Sequence, residues 1–182
     1  QQVAQLCRQT GHAVVTECDT KREKAAAPLA FSLGSLQQAC GRLWDMSPQQ
    51  VLDTAQSLYE KHKATTYPRT DCGYLPESMR EEISGVLDAI GRTDPECAPV
   101  LARLDRTFVS RIWNDKKITA HHGIIPTRNA FQLSALTETE RNVYMLIRRN
   151  YLAQFLPLHA QARPGQTQAL HRVGIVDTRA QG

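Results

Sequence analysis

Apolar positions recur at helical spacing through most of the middle of this chain. From Ser35, the residues Leu36, Cys40, Leu43 and Trp44 fall on one face of a predicted helix. A second helix follows at once. Ser47 suits its N-cap, Pro48 its first turn and Gln50 the closing position of a capping box, while Val51, Leu52, Ala55, Leu58, Tyr59 and His62 form its apolar stripe. Two short helices joined by a tight turn resemble a helix-turn-helix, a pairing in which packing is expected to dominate over base reading. Further helices are predicted at about 76–90, with Ile83, Val86, Leu87 and Ile90 inward, and at about 97–109. Thr137 and Glu140 make another capping box, after which Val143, Tyr144, Ile147, Tyr151, Leu152 and Phe155 continue a stripe to residue 155. Arg141, Arg148 and Arg149 lie on that helix, where a solvated face is the default and a DNA-lining face the alternative.

The ends differ from the middle. Residues 13–18 (Ala-Val-Val-Thr-Glu-Cys) read as a short strand, followed by a charged run at Lys21 to Lys24 and a small-residue bridge at Ala25 to Pro28. Residues 156–182 are rich in Gln, Arg, Gly and Ala and show little periodicity until Val173 to Val176. The pattern as a whole predicts a mainly α (α+β) chain, a helical domain with short flanking β pieces.

Composition narrows the function classes. A chain of 182 residues with 41% hydrophobic content can bury a sizeable core in one domain plus attachments. The formal charge of +4, from 22 basic and 18 acidic residues, favours nucleic acid only mildly. Aromatic content of 6% does not supply a run of base-stacking platforms, and Trp44 and Trp113 suit a core as well as they suit a base. Cys7, Cys18, Cys40, Cys72 and Cys97 have no C-x-x-C spacing, which argues against a zinc ribbon and a secreted disulfide framework. No run approaches the roughly 18 to 20 apolar residues of a membrane span, so a soluble, cytoplasmic protein with no membrane partner is expected.

The candidate chemistry centres on Thr65-Thr66-Tyr67-Pro68-Arg69-Thr70-Asp71. A phenol has an unperturbed pKa of about 10, so a tyrosine that attacks phosphorus needs help at neutral pH. A guanidinium nearby favours the phenolate and can pair bidentately with phosphate oxygens. Pro68 disfavours the α region for Tyr67, so the strip is expected to be extended or turn-like. In an extended strip Tyr67, Arg69 and Asp71 share a face, where Asp71 can hold the guanidinium in one orientation. The alternative is an exposed loop in which Arg69 pairs with Asp71 for solubility. About fifty residues on lies Ala120-His121-His122-Gly123-Ile124-Ile125-Pro126-Thr127. Each histidine there can donate to a phosphate oxygen, move a proton, or serve as an ordinary loop residue. A metal role is disfavoured, because neighbouring side chains in an extended segment diverge and no Cys, Asp or Glu stands at ligand spacing.

Together these segments resemble the type IA DNA topoisomerases, in particular the topoisomerase III branch. The resemblance is carried by Pro28 to Gln37, Leu58 to Lys63, Thr66 to Leu75, and Trp113 to Lys117 through Thr127, spanning most of residues 13–155. It implies that Tyr67 attacks a phosphodiester of single-stranded DNA to form a 5′-phosphotyrosyl link without ATP, that Arg69 stabilises the charge on the non-bridging oxygens, and that His121 binds the same phosphate. A preorganised donor of this kind supplies about 2.7 to 4 kcal/mol of barrier lowering. Ser32, Ser35 and Gln37 match a segment that touches the DNA backbone in that family, although Ser32 or Ser35 equally suits a helix cap. His122, Thr127 and Arg128 are grouped with the DNA-binding residues by the same resemblance, His122 in a supporting part.

The resemblance also implies a division into an edge of the β-rich arch domain (1–31), a catabolite-activator-like helical domain bearing the nucleophile (32–155), and a return to the arch or a disordered tail (156–182). Gly73 stands where relatives often carry arginine, Gly123 where alanine is usual, and Met79 where some carry histidine. All three are expected to alter DNA grip before chemistry. The family's Mg2+ is bound by a TOPRIM domain with a Glu and an Asp-x-Asp-x-Glu cluster, and no such cluster occurs here. Beginning at Gln1-Gln2 rather than methionine, the chain reads as a central fragment that binds DNA weakly and does not relax supercoils alone. Its expected partners are single-stranded DNA and the remaining domains of the same polypeptide, and it is expected to be a monomer. A non-catalytic helix-turn-helix DNA-binding module is the alternative, and a protein-interaction domain a further one.

Overall fold

Local capping chemistry sets where the helices begin. In the computed structural model, which describes residues 27–156, the first helix α1 spans Leu33–Trp44 behind an extended Ser32 whose hydroxyl accepts from the Ser35 amide. The Ser35 hydroxyl in turn accepts from the Ser32 amide, so the capping box is complete. Helix α2 spans Pro48–Glu60, with Ser47 and Gln50 closing the reciprocal box expected of them. The predicted helix near 76–90 resolves into a 3-10 turn at Glu77–Glu82 and α3 at Ile83–Thr93, with Ile83, Val86, Leu87 and Ile90 buried. The longest helix, α5, spans Glu138–Leu152 and runs into a 3-10 turn at Ala153–Phe155, and all the stripe residues named for it are buried. The strand expected over 13–18, the Lys21 to Lys24 run, the segment 157–182, Cys7 and Cys18 lie outside the described residues.

Some expectations do not hold. The helix predicted at 97–109 is a single short turn, α4 (Ala98–Leu101), preceded by a 3-10 turn at Pro95–Cys97. Past it, Asp105 accepts from both the amide and the hydroxyl of Thr107, and this local bonding competes with helix continuation. Leu43 and Trp44 do not share the burial of Leu36 and Cys40 on the predicted face of α1, being 54% and 39% exposed. The helix ends beside them, where Asp45 turns left-handed, and the core covers Leu36, Ala39 and Cys40 instead. Trp113, by contrast, belongs to the core.

The apolar residues divide into clusters on either side of a central backbone weave. One joins α1, α2 and the first turns of α5 through Leu36, Val51, Leu58, Val143, Tyr144 and Ile147. The other gathers α3 with Leu75, Ile112, Trp113 and the end of α5 through Tyr151, Leu152 and Phe155. The weave is made of extended strips joined, among the described residues, by isolated bridges only: Phe31 with Ile124 and Thr65 with Pro126 antiparallel, Leu75 with Trp113 parallel. Ile124 packs into the first cluster and Ile125 into the second, because successive side chains of an extended strip point to opposite sides.

Glu140 does more than cap. Its carboxylate accepts from the Thr137 amide at 2.8 Å and from the Ser57 hydroxyl at 2.6 Å, and lies 3.3 Å from Nε2 of His62, itself nearly buried. It therefore ties α2 to the start of α5. Burial pushes this carboxyl up, but the bonds from Ser57 and Thr137, with the His62 imidazole beside it, outweigh burial and hold it down at about 2. A folded-state value below the unfolded one, about 4.3 for a glutamate, contributes stability that is complete above the unfolded value and lost as pH falls toward the folded one. We expect unfolding stability to drop between about pH 5 and pH 2. Glu140→Gln should remove much of that pH dependence and cost about 1–3 kcal/mol at neutral pH, as urea titrations across that range would show.

Candidate active site

Tyr67 sits on an irregular extended strip that runs from the end of α2 to Leu75. Its place is fixed one residue earlier. The Thr66 amide donates to the Ile125 carbonyl at 2.9 Å, while the Thr66 hydroxyl donates to the Gly123 carbonyl at 3.2 Å and accepts from the Ile125 amide at 3.0 Å. On the other side of Tyr67, the Thr70 hydroxyl donates to the His121 carbonyl at 3.2 Å, and the Thr70 carbonyl accepts from the Leu33 amide at the start of α1 at 2.8 Å. The strip carrying the tyrosine and the strip carrying the histidines are thus stitched together at both ends. The result brings the Tyr67 ring to 4.6 Å, centroid to centroid, from the exposed His121 ring.

Exposure alternates along the strip as an extended chain requires. Pro68, Thr70 and Cys72 are buried, Arg69 and Asp71 are exposed, and Tyr67 is half-buried. Arg69 stands free at the surface beside the tyrosine and makes no ion pair among the described residues. The expectation that Asp71 holds Arg69 is corrected: Asp71 accepts from the Thr119 hydroxyl at 3.0 Å. A threonine on the neighbouring loop meets the carboxylate, so Asp71 braces that loop and leaves the guanidinium unpaired.

Tyr67 is one of the tyrosines that can reach a ligand. Tyr144 and Tyr151 are sealed in the core, where burial pushes both phenols up, Tyr144 to about 12. Tyr59, Tyr67 and Tyr74 are half-buried.

The residues grouped for DNA contact have structural employment as well. Ser32 and Ser35 form the α1 capping box, and Gln37 donates through Nε2 to the Pro48 carbonyl at 3.0 Å, joining α1 to the start of α2. Thr127 donates through Oγ1 to the Lys63 carbonyl at 2.5 Å. His122 places Nδ1 2.8 Å from the Gly123 carbonyl. Arg128 lies 3.5 Å from Glu82, both side chains solvated, at a cleft of about 260 Å3 that Thr66, Val86, Ile125 and Pro126 also line. Of the arginines on α5, Arg148 is committed to Asp94 at 2.5 Å, whereas Arg141 and Arg149 are exposed.

Sequence reasoning missed Thr66 and Thr70 as organisers, and Tyr59 and Lys63 as neighbours of the site. The Tyr59 ring meets the Tyr67 ring edge-to-face at 5.7 Å and 81°, and the Lys63 ammonium lies 5.8 Å from the Tyr59 centroid. The signal was the apolar stripe of α2, whose last aromatic faces the strip instead of the core. Among the described residues no group of three or more His, Cys, Asp or Glu side chains could hold a metal ion, and no helix is long and apolar enough to cross a membrane.

Gly73 and Gly123 have a steric reason. A Cβ on Gly123 would come to 2.7 Å from the Ala30 Cβ, and one on Gly73 to 2.9 Å from the Ala30 carbonyl oxygen. The three backbones cross here, joined by the Ala30 amide to Gly73 and the Gly123 amide to Tyr74. Gly123→Ala should overpack this crossing and cost about 1–3 kcal/mol. Thr66→Val keeps the shape but loses the hydroxyl bonds, with an expected cost of about 1–3 kcal/mol. Chemical denaturation of both variants checks each figure.

Comparison with known proteins adds a family. Residues 1–168 match the family model described as DNA topoisomerase. The DNA topoisomerase 3 of Haemophilus influenzae is 50% identical over 146 residues, covering 80% of this chain and 22% of that protein. The DNA topoisomerase 3 of Vibrio cholerae is 44% identical over 153 residues, covering 83% and 24%. The chain thus spans under a quarter of the length of these relatives. Among solved structures, full-length topoisomerase I from Thermotoga maritima superposes with a TM-score of 0.51 at 22% identity, covering 84% of this chain and 25% of that one, a likeness of fold.

Proposed function

Because this chain belongs to the DNA topoisomerase family, we propose that it is the nucleophile-bearing part of a type IA enzyme and that Tyr67 is the nucleophile. The observation that carries the reading is the half-buried Tyr67 ring against the exposed His121, with an unpaired Arg69 two residues along the same strip. In the proposed step the Tyr67 phenol oxygen attacks a phosphodiester phosphorus of single-stranded DNA. An Oη–P bond forms, the P–O3′ bond breaks, and the phenol proton ends on the departing 3′ oxygen. The product is a 5′-phosphotyrosyl link, which the 3′-hydroxyl reverses after strand passage. The bond energy stays in the covalent link, so the exchange needs no ATP.

Arg69 can pair with the non-bridging oxygens as charge builds there, and His121 can donate to the same phosphate. Ser32, Ser35, Gln37, His122, Thr127 and Arg128 would contact the DNA backbone alongside their structural bonds. Mg2+ would be held by a TOPRIM domain elsewhere in the polypeptide, and no step here runs through it. The segment 32–155 is read as a catabolite-activator-like helix-turn-helix domain between pieces of an arch, in a monomeric cytoplasmic protein acting on nucleoid or plasmid DNA. By itself the chain is expected to be inactive.

The test uses the full-length polypeptide with labelled single-stranded DNA and magnesium, denatured rapidly. Wild type should yield a covalent protein–DNA adduct and Tyr67→Phe none. Arg69→Ala should slow adduct formation by about 10²–10³-fold with binding largely retained, and His121→Ala should act in the same direction. DNA binding without any adduct would instead favour a non-catalytic helix-turn-helix module.

A further inference from the structure

We propose that Tyr59 is a positioning residue for the Tyr67 phenol, a role that rests on the reading of Tyr67 as nucleophile. None of the hydrogen bonds among the described residues involves the phenol oxygen of Tyr67, so its ring orientation depends on packing. The terminal torsion of a tyrosine is broad and two-fold, which leaves an unpacked ring free to turn. Two rings bound it. His121, at 4.6 Å and a tilt of 48°, is exposed on a loop and has its own phosphate to meet. Tyr59, at 5.7 Å and 81°, stands on the last turn of α2, a helix anchored in the core by Val51, Ala55 and Leu58. The edge-to-face arrangement is the favoured geometry for a ring pair and sets both distance and tilt.

A second observation concerns how Tyr59 is itself held. Lys63 adopts a left-handed backbone conformation, φ 51°, which a non-glycine residue enters at a cost. The turn is held by the Thr127 hydroxyl on the Lys63 carbonyl and by the Ala64 amide on the Leu58 carbonyl at 2.8 Å. It brings the Lys63 ammonium over the Tyr59 ring. Cation, ring and nucleophile form one chain of contacts, built by a strained turn that begins three residues before Tyr67's own clamp at Thr66.

The experiment uses the full-length enzyme with a labelled single-stranded oligonucleotide and magnesium. Single-turnover adduct formation and oligonucleotide affinity by anisotropy are measured on wild type, Tyr67→Phe, Tyr59→Phe, Tyr59→Leu and Tyr59→Met. Removing the ring should slow adduct formation by about three- to tenfold, the range that an edge-to-face pair supplies, with affinity within about twofold. Tyr59→Phe keeps the ring and should recover most of the rate. Thermal melting separates folding loss from positioning, and Tyr59→Met serves where Tyr59→Leu folds poorly. Adduct formation unchanged in both ring-less variants overturns the proposal. So does an affinity loss as large as the rate loss, which would make Tyr59 a base-stacking contact, or a Tyr59→Phe defect equal to that of Tyr59→Leu, which would assign the role to the hydroxyl. Wild type without adduct overturns the nucleophile assignment itself, a failure visible before any Tyr59 variant is read.

Discussion

The structure depends on the clamp that Thr66 closes on the strip 123–125. A single residue satisfies two carbonyls and one amide of an extended chain that, among the described residues, has only isolated bridges beside it. Backbone polar groups buried away from water must find partners, and outside regular structure a side chain has to supply them. Once Thr66 is paired this way, Tyr67 follows at a set height above the histidine strip. Ile124 and Ile125 then lock the other partner, because each enters a different apolar cluster and neither can leave without exposing its side chain. The site is thus positioned by two cores at once.

The backbones around this weave are closely packed. Ala30, Gly73 and Gly123 meet where three backbones cross, and a Cβ on either glycine would have to displace its neighbour. The same economy appears in the polar network of Glu140, which caps α5, receives Ser57 and borders His62 in one buried cluster. A charged group is tolerated there because its oxygens are occupied by hydrogen-bond donors. Since α2 leads directly into Lys63 and the Tyr67 strip, that cluster indirectly sets the angle at which the strip departs.

What the arrangement leaves open to solvent is equally informative. Arg69 and His121 are exposed, and Tyr67 lies between rings with no hydrogen bond to its phenol oxygen among the described residues. A cationic group left without an ion pair among the described residues, as Arg69 is, can pair with a ligand that brings its own negative charge. The chain spans less than a quarter of the length of the relatives it matches.

The sequence by itself determined the helices whose ends carry reciprocal caps, Ser47 with Gln50 and Thr137 with Glu140, and the stripe from Val143 to Phe155, because capping and helical period are local properties. It also offered Tyr67, Arg69 and His121 as candidates, and the fold brings the Tyr67 and His121 rings together. It misjudged 97–109, where an Asp105 side-chain turn overrides the helix, and the end of α1, where Leu43 and Trp44 escape the core. Only tertiary structure decided that Asp71 faces Thr119, that Tyr59 packs on Tyr67, and that Gln37 joins α1 to the start of α2. Those contacts join separate elements, and their partners are chosen by how the two cores pack, which no local pattern encodes.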